Sequence, residues 1–258
     1  MTAITHSPAV ASTGPRPMNR IIAVARLNLA NRWSMFAMPS LILGAILLLN
    51  MAIWYLALAS APAGDRARVS EGLGNSGSAL FLFIYMMVIA VQAVSRTFPF
   101  ALGYGVTRRN FYLGTALALV VQTAIFSIGL TILSAIEDAT NGWGAGGHMF
   151  NPVYFSSTGF VQRFLLYYFL FLVFVFIGLG LASVYVRWRV TGMFVFFGVL
   201  AVALVGTGAL ITFNHQWPAI GTWLDATGEF GLICWSLAPA AIAAIAGFFI
   251  LRRATPKN

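Results

Sequence analysis

The chain has 258 residues, of which 60% are hydrophobic and 8% charged, with a formal net charge of +9. Soluble domains carry roughly a quarter charged residues, and a soluble fold of this composition would expose apolar patches large enough to aggregate. The chain therefore reads as an integral membrane protein, and its basic balance does not point to nucleic acid, because the arginines stand in ones and twos beside apolar runs.

Residues 1–17, with Pro8, Pro15 and Pro17, read as a disordered tail. They hold no apolar stretch of signal-peptide length. Residues 18–34 read as an amphipathic helix on the inner headgroups, with Ile21, Ile22, Val24 and Leu29 among Arg20, Arg26, Asn28, Asn31 and Arg32. A helix needs about 20 apolar residues to cross about 30 Å of hydrocarbon. Residues 35–251 contain six such runs: Met35–Ala59, Ala79–Ser95, Leu113–Ile136, Phe164–Val186, Val190–Thr212 and Phe230–Leu251. They are continuous, without the alternation of a β-barrel. Residues 252–258 form a short basic tail.

The second run is the least regular, because Arg96 and Pro99 follow it closely. An arginine at the bilayer centre costs about 2.5–3.5 kcal/mol. The span is therefore predicted to end near Arg96 and to lead into a short interfacial segment; one broken element across residues 79–106 is the alternative. Glycines 72, 74 and 77 with Asn75, and glycines 142, 144, 146 and 147, predict loops in the first and third gaps. Trp33, Trp54, Tyr55, Tyr112, Tyr185, Trp188, Trp217 and Trp223 fall near run ends, as an interfacial belt requires.

The gaps alternate in charge. All six acids (Asp65, Glu71, Glu137, Asp138, Asp225 and Glu229) lie in the first, third and fifth gaps. The N-terminal segment, the second and fourth gaps and the C-terminus hold no acid and carry Arg16, Arg20, Arg26, Arg32, Arg96, Arg108, Arg109, Arg187, Arg189, Arg252, Arg253 and Lys257. The positive-inside bias then predicts an all-α membrane fold of six transmembrane helices, an N-terminal interfacial helix and both termini in the cytoplasm. Arg163, at the outer start of the fourth run, is expected to snorkel to headgroups.

The missing chemistry excludes several functions. The only lysine is Lys257, so no GxxxxGK[ST] phosphate loop exists and the chain does not hydrolyse ATP by that route. No Asp, Glu or His stands in the middle of a run, which argues against proton coupling, a metal site, a haem or intramembrane acid–base catalysis. Cys234 has no partner for an internal disulfide. The chain is expected to carry no catalytic residue, no metal and no cofactor. Within the runs, Asn50, Gln92 and Gln122 either hydrogen-bond between helices or line a substrate path.

Residues 98–115 read FPFALGYGVTRRNFYLGT. Gly103 and Gly105 allow a turn, Thr107 suits a helix cap, and Arg108 and Arg109 mark the inner face. Phe98, Phe100 and Tyr104 offer aromatic surface beside them, and aromatic and Arg side chains are preferred interface anchors. The segment is either an ordinary basic loop or a docking knob for a cytoplasmic partner. Its Gly-x-Gly-Val-Thr-Arg-Arg-Asn-Phe pattern between the second and third runs resembles the inner loop of bacterial ABC exporter permeases of type two. The resemblance implies a cell-membrane subunit that pairs with a second permease copy or homologue. Two cytoplasmic ATP-binding subunits, holding ATP and magnesium, would dock on the inner loops. It makes Phe98–Asn110 the coupling element, with Phe98, Phe100, Tyr104, Arg108, Arg109 and Asn110 toward the ATPase. By position, Asn214–Glu229 would be a re-entrant or interfacial element before the last span. A non-transport accessory or immunity protein and an ion-coupled secondary transporter are the other readings.

Overall fold

The computed structural model describes residues 17–62, 64–73, 77–150 and 159–254. The expected N-terminal tail up to residue 16, Gly74, Asn75 and the last four residues lie outside them. Every regular element among the described residues is helical. They are α1 (Pro17–Ala30), α2 (Met38–Ser60, entered through a π turn at Trp33–Ala37), α3 (Arg66–Leu73), α4 (Leu80–Gly103), α5 (Arg108–Ala139), α6 (Phe160–Phe213) and α7 (Trp217–Arg252). Five helical stretches are long and apolar enough to cross a membrane: Trp33–Ser60, Gly77–Gly103, Arg108–Ala139, Phe160–Phe213 and Phe230–Arg252.

Helix α5 is the hub and packs against α1, α4, α6 and α7. Its buried stripe runs through Phe111, Thr115, Leu119, Gln122, Phe126, Leu130, Ser134 and Glu137. Its opposite stripe exposes Leu117, Val121, Ile125, Ile128, Ile132 and Ile136. The polar side chains thus face inward and the aliphatic ones outward, the arrangement a hydrocarbon solvent favours. The inward hydroxyls stay satisfied: Ser127 Oγ donates to the Thr123 carbonyl at 2.8 Å and Thr131 Oγ1 to the Ser127 carbonyl at 2.7 Å. Small residues let the other helices approach closely. A Cβ on Gly178 would lie 2.6 Å from the Met87 carbonyl oxygen, and one on Gly247 3.2 Å from Ser183 Oγ.

Four sequence expectations are corrected. Helix α4 does not stop near Arg96; it continues through Pro99 to Gly103. Arg96 is exposed, and Phe98 and Ala101 beyond it are buried, so packing outweighs the hydrogen bond that Pro99 cannot donate. The first gap, read as a loop, contains α3 and a 3₁₀ turn at Gly77–Ala79. Trp54 and Tyr112 leave the interfacial belt. Trp54 is 2% exposed and packs where Gly147 leaves no room for a Cβ. The Tyr112 hydroxyl donates to the Ala244 carbonyl at 2.5 Å, tying α5 to α7. Arg163 turns to the protein instead of the headgroups and pairs with Asp138 at 2.6 Å.

Helix α1 shares the predicted amphipathic character but is anchored to protein. Val24, Ala25 and Asn28 are buried, and Asn28 Nδ2 donates to Thr115 Oγ1 at 3.2 Å. Gly114 is required there, because a Cβ would fall 2.6 Å from Val24 Cβ and 2.7 Å from the Ile21 carbonyl oxygen. Met18, Ile22 and Leu27 remain exposed on the other side.

Helix α6 breaks at Arg189, whose φ of 57° and ψ of −147° are not helical. Before the break, Phe169 meets Phe230 with ring centroids 6.3 Å apart, and Gly180 and Ser183 meet Ala243 and Gly247. The first part of α6 and the last part of α7 therefore run in the same direction, and the chain between them returns across the bundle. The returning stretch is exposed almost throughout, including Phe194, Val199, Val202 and Val205. Helix α7 breaks at Gly228, with φ 64° and ψ 172°. Trp223 and Trp235 stack edge-on at 6.0 Å across that break, so residues 217–227 fold back on the helix that follows.

Candidate partner-docking loop

The loop between α4 and α5 is built by two backbone devices. Helix α4 closes with Val106 N–H on the Ala101 carbonyl at 3.1 Å and Gly105 N–H on the Leu102 carbonyl at 3.0 Å. This Schellman pair needs a left-handed residue at its turn, which Gly105 supplies with φ 74°. Helix α5 opens on Thr107, extended at ψ 146°, whose Oγ1 accepts from the Asn110 N–H at 3.3 Å. The cap expected from the sequence is therefore present. The turn satisfies its own backbone and leaves its side chains to other uses.

Those side chains separate into two sets. Phe98 and Asn110 are buried, which corrects their expected place on the docking surface. Phe98 meets Phe111 edge-on at 5.3 Å, a pair worth about 0.5–1.5 kcal/mol beyond burial. Arg108 is half-buried, and its Nη1 donates to the Arg252 carbonyl at 3.3 Å. A cation at a helix C-terminus is favourable, so Arg108 caps α7. The outward set is Phe100, Tyr104 and Arg109. Tyr104 is 76% exposed and meets Phe100 edge-on at 4.8 Å. Arg109 is exposed and has no hydrogen bond or ion pair among the described residues.

The three amide side chains read as a possible substrate path, Asn50, Gln92 and Gln122, have different surroundings. Gln122 is 1% exposed, and its Nε2 donates to the Met35 carbonyl at 2.8 Å. A π turn shifts the backbone bonding register, and Gln122 holds the carbonyl in that turn. Asn50 Nδ2 donates to the Ile46 carbonyl of its own helix at 2.9 Å. Gln92 is half-buried on α4.

The sequence did not disclose the most densely bonded polar cluster. Glu137, at the far end of α5 from Arg108, is 0% exposed. Its carboxylate accepts from Trp143 Nε1 at 3.0 Å, Met149 N–H at 2.9 Å and Phe150 N–H at 3.2 Å. His148 Nδ1 lies 3.6 Å away. Arg163 Nη1 bridges Ser134 Oγ at 2.7 Å and Asp138 Oδ2 at 2.6 Å, and the Tyr167 hydroxyl donates to the Phe150 carbonyl. The glycine-rich segment beside it turns through left-handed Asn141, Gly142, Trp143, Gly144 and Gly146. Left-handed Trp143 carries strain of roughly 1–2 kcal/mol, offset by its bond to Glu137. The available signal was an acidic pair at a helix end, followed at once by glycines and a tryptophan.

No group of three or more His, Cys, Asp or Glu residues that could hold a metal ion occurs among the described residues. The described residues offer a scaffold of membrane-length apolar helices with a self-satisfied, outward-facing aromatic–arginine loop. No family model, curated protein or solved structure matches it.

Proposed function

We propose that this chain is the membrane subunit of an ATP-driven exporter of the bacterial cell membrane, related to the type-two ABC permeases. It works as a pair of permease subunits on which two separate cytoplasmic ATPases dock. The observation that carries the reading is the outward set on the loop between α4 and α5. Phe100, Tyr104 and Arg109 are exposed together on a turn whose backbone is closed by its own capping bonds, and they are the residue types that anchor interfaces. The ATPases hold ATP and magnesium, and their closure moves the loop. Arg108 passes that movement to α7 through its bond to the Arg252 carbonyl, and Tyr112 does so through its bond to the Ala244 carbonyl. The substrate path lies where two permease subunits meet and opens alternately to each side.

The topology in this reading has six spans with both termini in the cytoplasm. Helix α6 would be about 80 Å long if straight, far more than the roughly 30 Å of a hydrocarbon core. The break at Arg189 and the shared direction of its first part with α7 support counting it as two spans. The folded-back segment before Gly228 then stands at the outer side as a re-entrant or interfacial element.

The test is purification of the tagged chain from its native membrane, followed by reconstitution into vesicles. Co-purification of a nucleotide-binding protein, with ATP hydrolysis and transport that persist after ion gradients are collapsed, is the expected result. Purification without an ATPase, or transport that follows an ion gradient and ignores ATP, would overturn the reading.

A further inference from the structure

The first span is fastened at its two ends to α5 and the segment that follows it, and in between Leu43 is buried and Leu47 half-buried beside a gap. At one end, Gln122 holds the Met35 carbonyl and Phe36 stacks on Phe126 with centroids 5.9 Å apart. At the other, Trp54 packs against Gly147 and the Tyr55 hydroxyl donates to the Trp143 carbonyl at 3.0 Å. Between these fastenings, α2 and α5 leave an apolar groove of about 280 Å³. Leu43, Gly44 and Leu47 line it from α2, and Gly129, Leu130 and Leu133 from α5. A Cβ on Gly44 or on Gly129 would meet nothing within 4 Å, so among the described residues no side chain fills the space beside them.

Access decides what does. Ser40 is the only polar side chain among the described residues that line it. An apolar cavity of even about 150 Å³ stays dry and takes up an apolar molecule. Toward the Glu137 end the groove is bounded by Phe150, which is buried and held on both sides: its N–H by Glu137 and its carbonyl by the Tyr167 hydroxyl. The exposed rim is Ser40 and Gly44, on the flank of a membrane-length helix, so entry is sideways from the bilayer. Leu41 and Leu48 on α2, and Ile125 and Ile132 on α5, project outward beside the rim. The volume and the aliphatic lining of the groove suit a single extended hydrocarbon chain.

We propose that this groove is a binding site for one acyl chain of a bilayer phospholipid, seated between the first and third spans as a resident ligand. It rests on the groove alone and stands whether or not the chain is an exporter subunit. The direct test reconstitutes the full chain in phosphatidylcholine vesicles doped with phosphatidylcholine bearing a diazirine in its acyl chain. After irradiation, adducts are mapped by peptide mass spectrometry. Labelling at residues 40–47 and 126–133 should exceed that of the freely lipid-facing stretch 194–205 several-fold. The double variant Gly44→Leu/Gly129→Leu should erase the excess and leave the labelling of 194–205 intact. Equal labelling of all three stretches in the wild-type chain, a result that needs no variant, would overturn the proposal. A second arm uses Gly44→Cys with Cys234→Ser in membranes. Failure to cross-link on oxidation is expected, and a disulfide dimer through position 44 would put a second copy of the chain in the groove and overturn it.

Discussion

At the C-terminal end of α5, Glu137, Asp138 and the neighbouring Arg163 all bond to the chain itself. At its N-terminal end, Arg109 and the Phe100–Tyr104 pair turn outward, while Arg108 and Tyr112 bond back to α7. Both ends carry charged and aromatic side chains beside glycines. The difference is where the backbone donors go. In the glycine-rich segment after α5, the Met149 and Phe150 N–H groups have no helix to bond to, and a buried carboxylate satisfies them. In the loop before α5, the Schellman and Thr107 caps close the backbone locally and leave the side chains free. One end is a clasp that holds the fold, and the other is a surface that the fold presents.

The largest expected effect lies at the clasp. Glu137→Leu strands buried donors, each costing about 1–3 kcal/mol when unsatisfied. It should lower stability by about 3 kcal/mol or more, read as a large fall in the thermal unfolding temperature of the purified protein. Glu137→Gln, which keeps an acceptor, should lose roughly half of that. Unchanged unfolding of both variants would mean that the cluster holds nothing. The next effect is at α1. Gly114→Val forces a side chain into Val24 and the Ile21 carbonyl, an overpacking penalty of about 1–3 kcal/mol. On a Cys234→Ser background, a cysteine at buried position 24 should then react faster with a water-soluble maleimide; an unchanged rate would mean that α1 is not seated on α5.

At the presented end the expected losses are smaller. Gly105→Ala puts a side chain on a residue at φ 74°, a strain of roughly 1–2 kcal/mol, and should lower stability by about that amount. Arg109→Gln should leave stability within about 0.5 kcal/mol of the parent, because the exposed guanidinium makes no hydrogen bond or ion pair among the described residues. Arg108→Gln loses the cap on α7 and should cost more than Arg109→Gln in the same melt. A reversed order would mean that the two arginines have been assigned to the wrong roles.

The helical spans were legible because hydrocarbon leaves a plain mark: long apolar runs with Ile, Leu and Val facing outward on α5. The Thr107 cap and the glycine turn were legible because both follow from local chemistry. Three features required tertiary information. Pro99 and Arg96 argued for a helix end, and no local rule shows that Phe98 and Ala101 would be drawn into the core beyond them. Trp54 and Tyr112 carried interfacial residue types at interfacial positions, but Gly147 and the Ala244 carbonyl, both distant in sequence, claimed them. Glu137 read as one of several topology-marking acids, because its donors are backbone groups and backbone donors have no sequence signature. For the same reason, the candidate docking set narrowed from six residues to three: burial removed Phe98 and Asn110, and a carbonyl far along the chain engaged Arg108.

The central claim, that the outward set on the loop before α5 receives a cytoplasmic ATPase, is tested most directly by one co-purification. The tagged chain and the variant Tyr104→Ala/Arg109→Glu are expressed in the native host at matched levels, and the bound ATPase is quantified by mass spectrometry. The account predicts that the variant inserts and unfolds at the parental temperature while losing most of the ATPase that the parent retains. Full retention of an ATPase by the variant, or its absence from the parent, would contradict it.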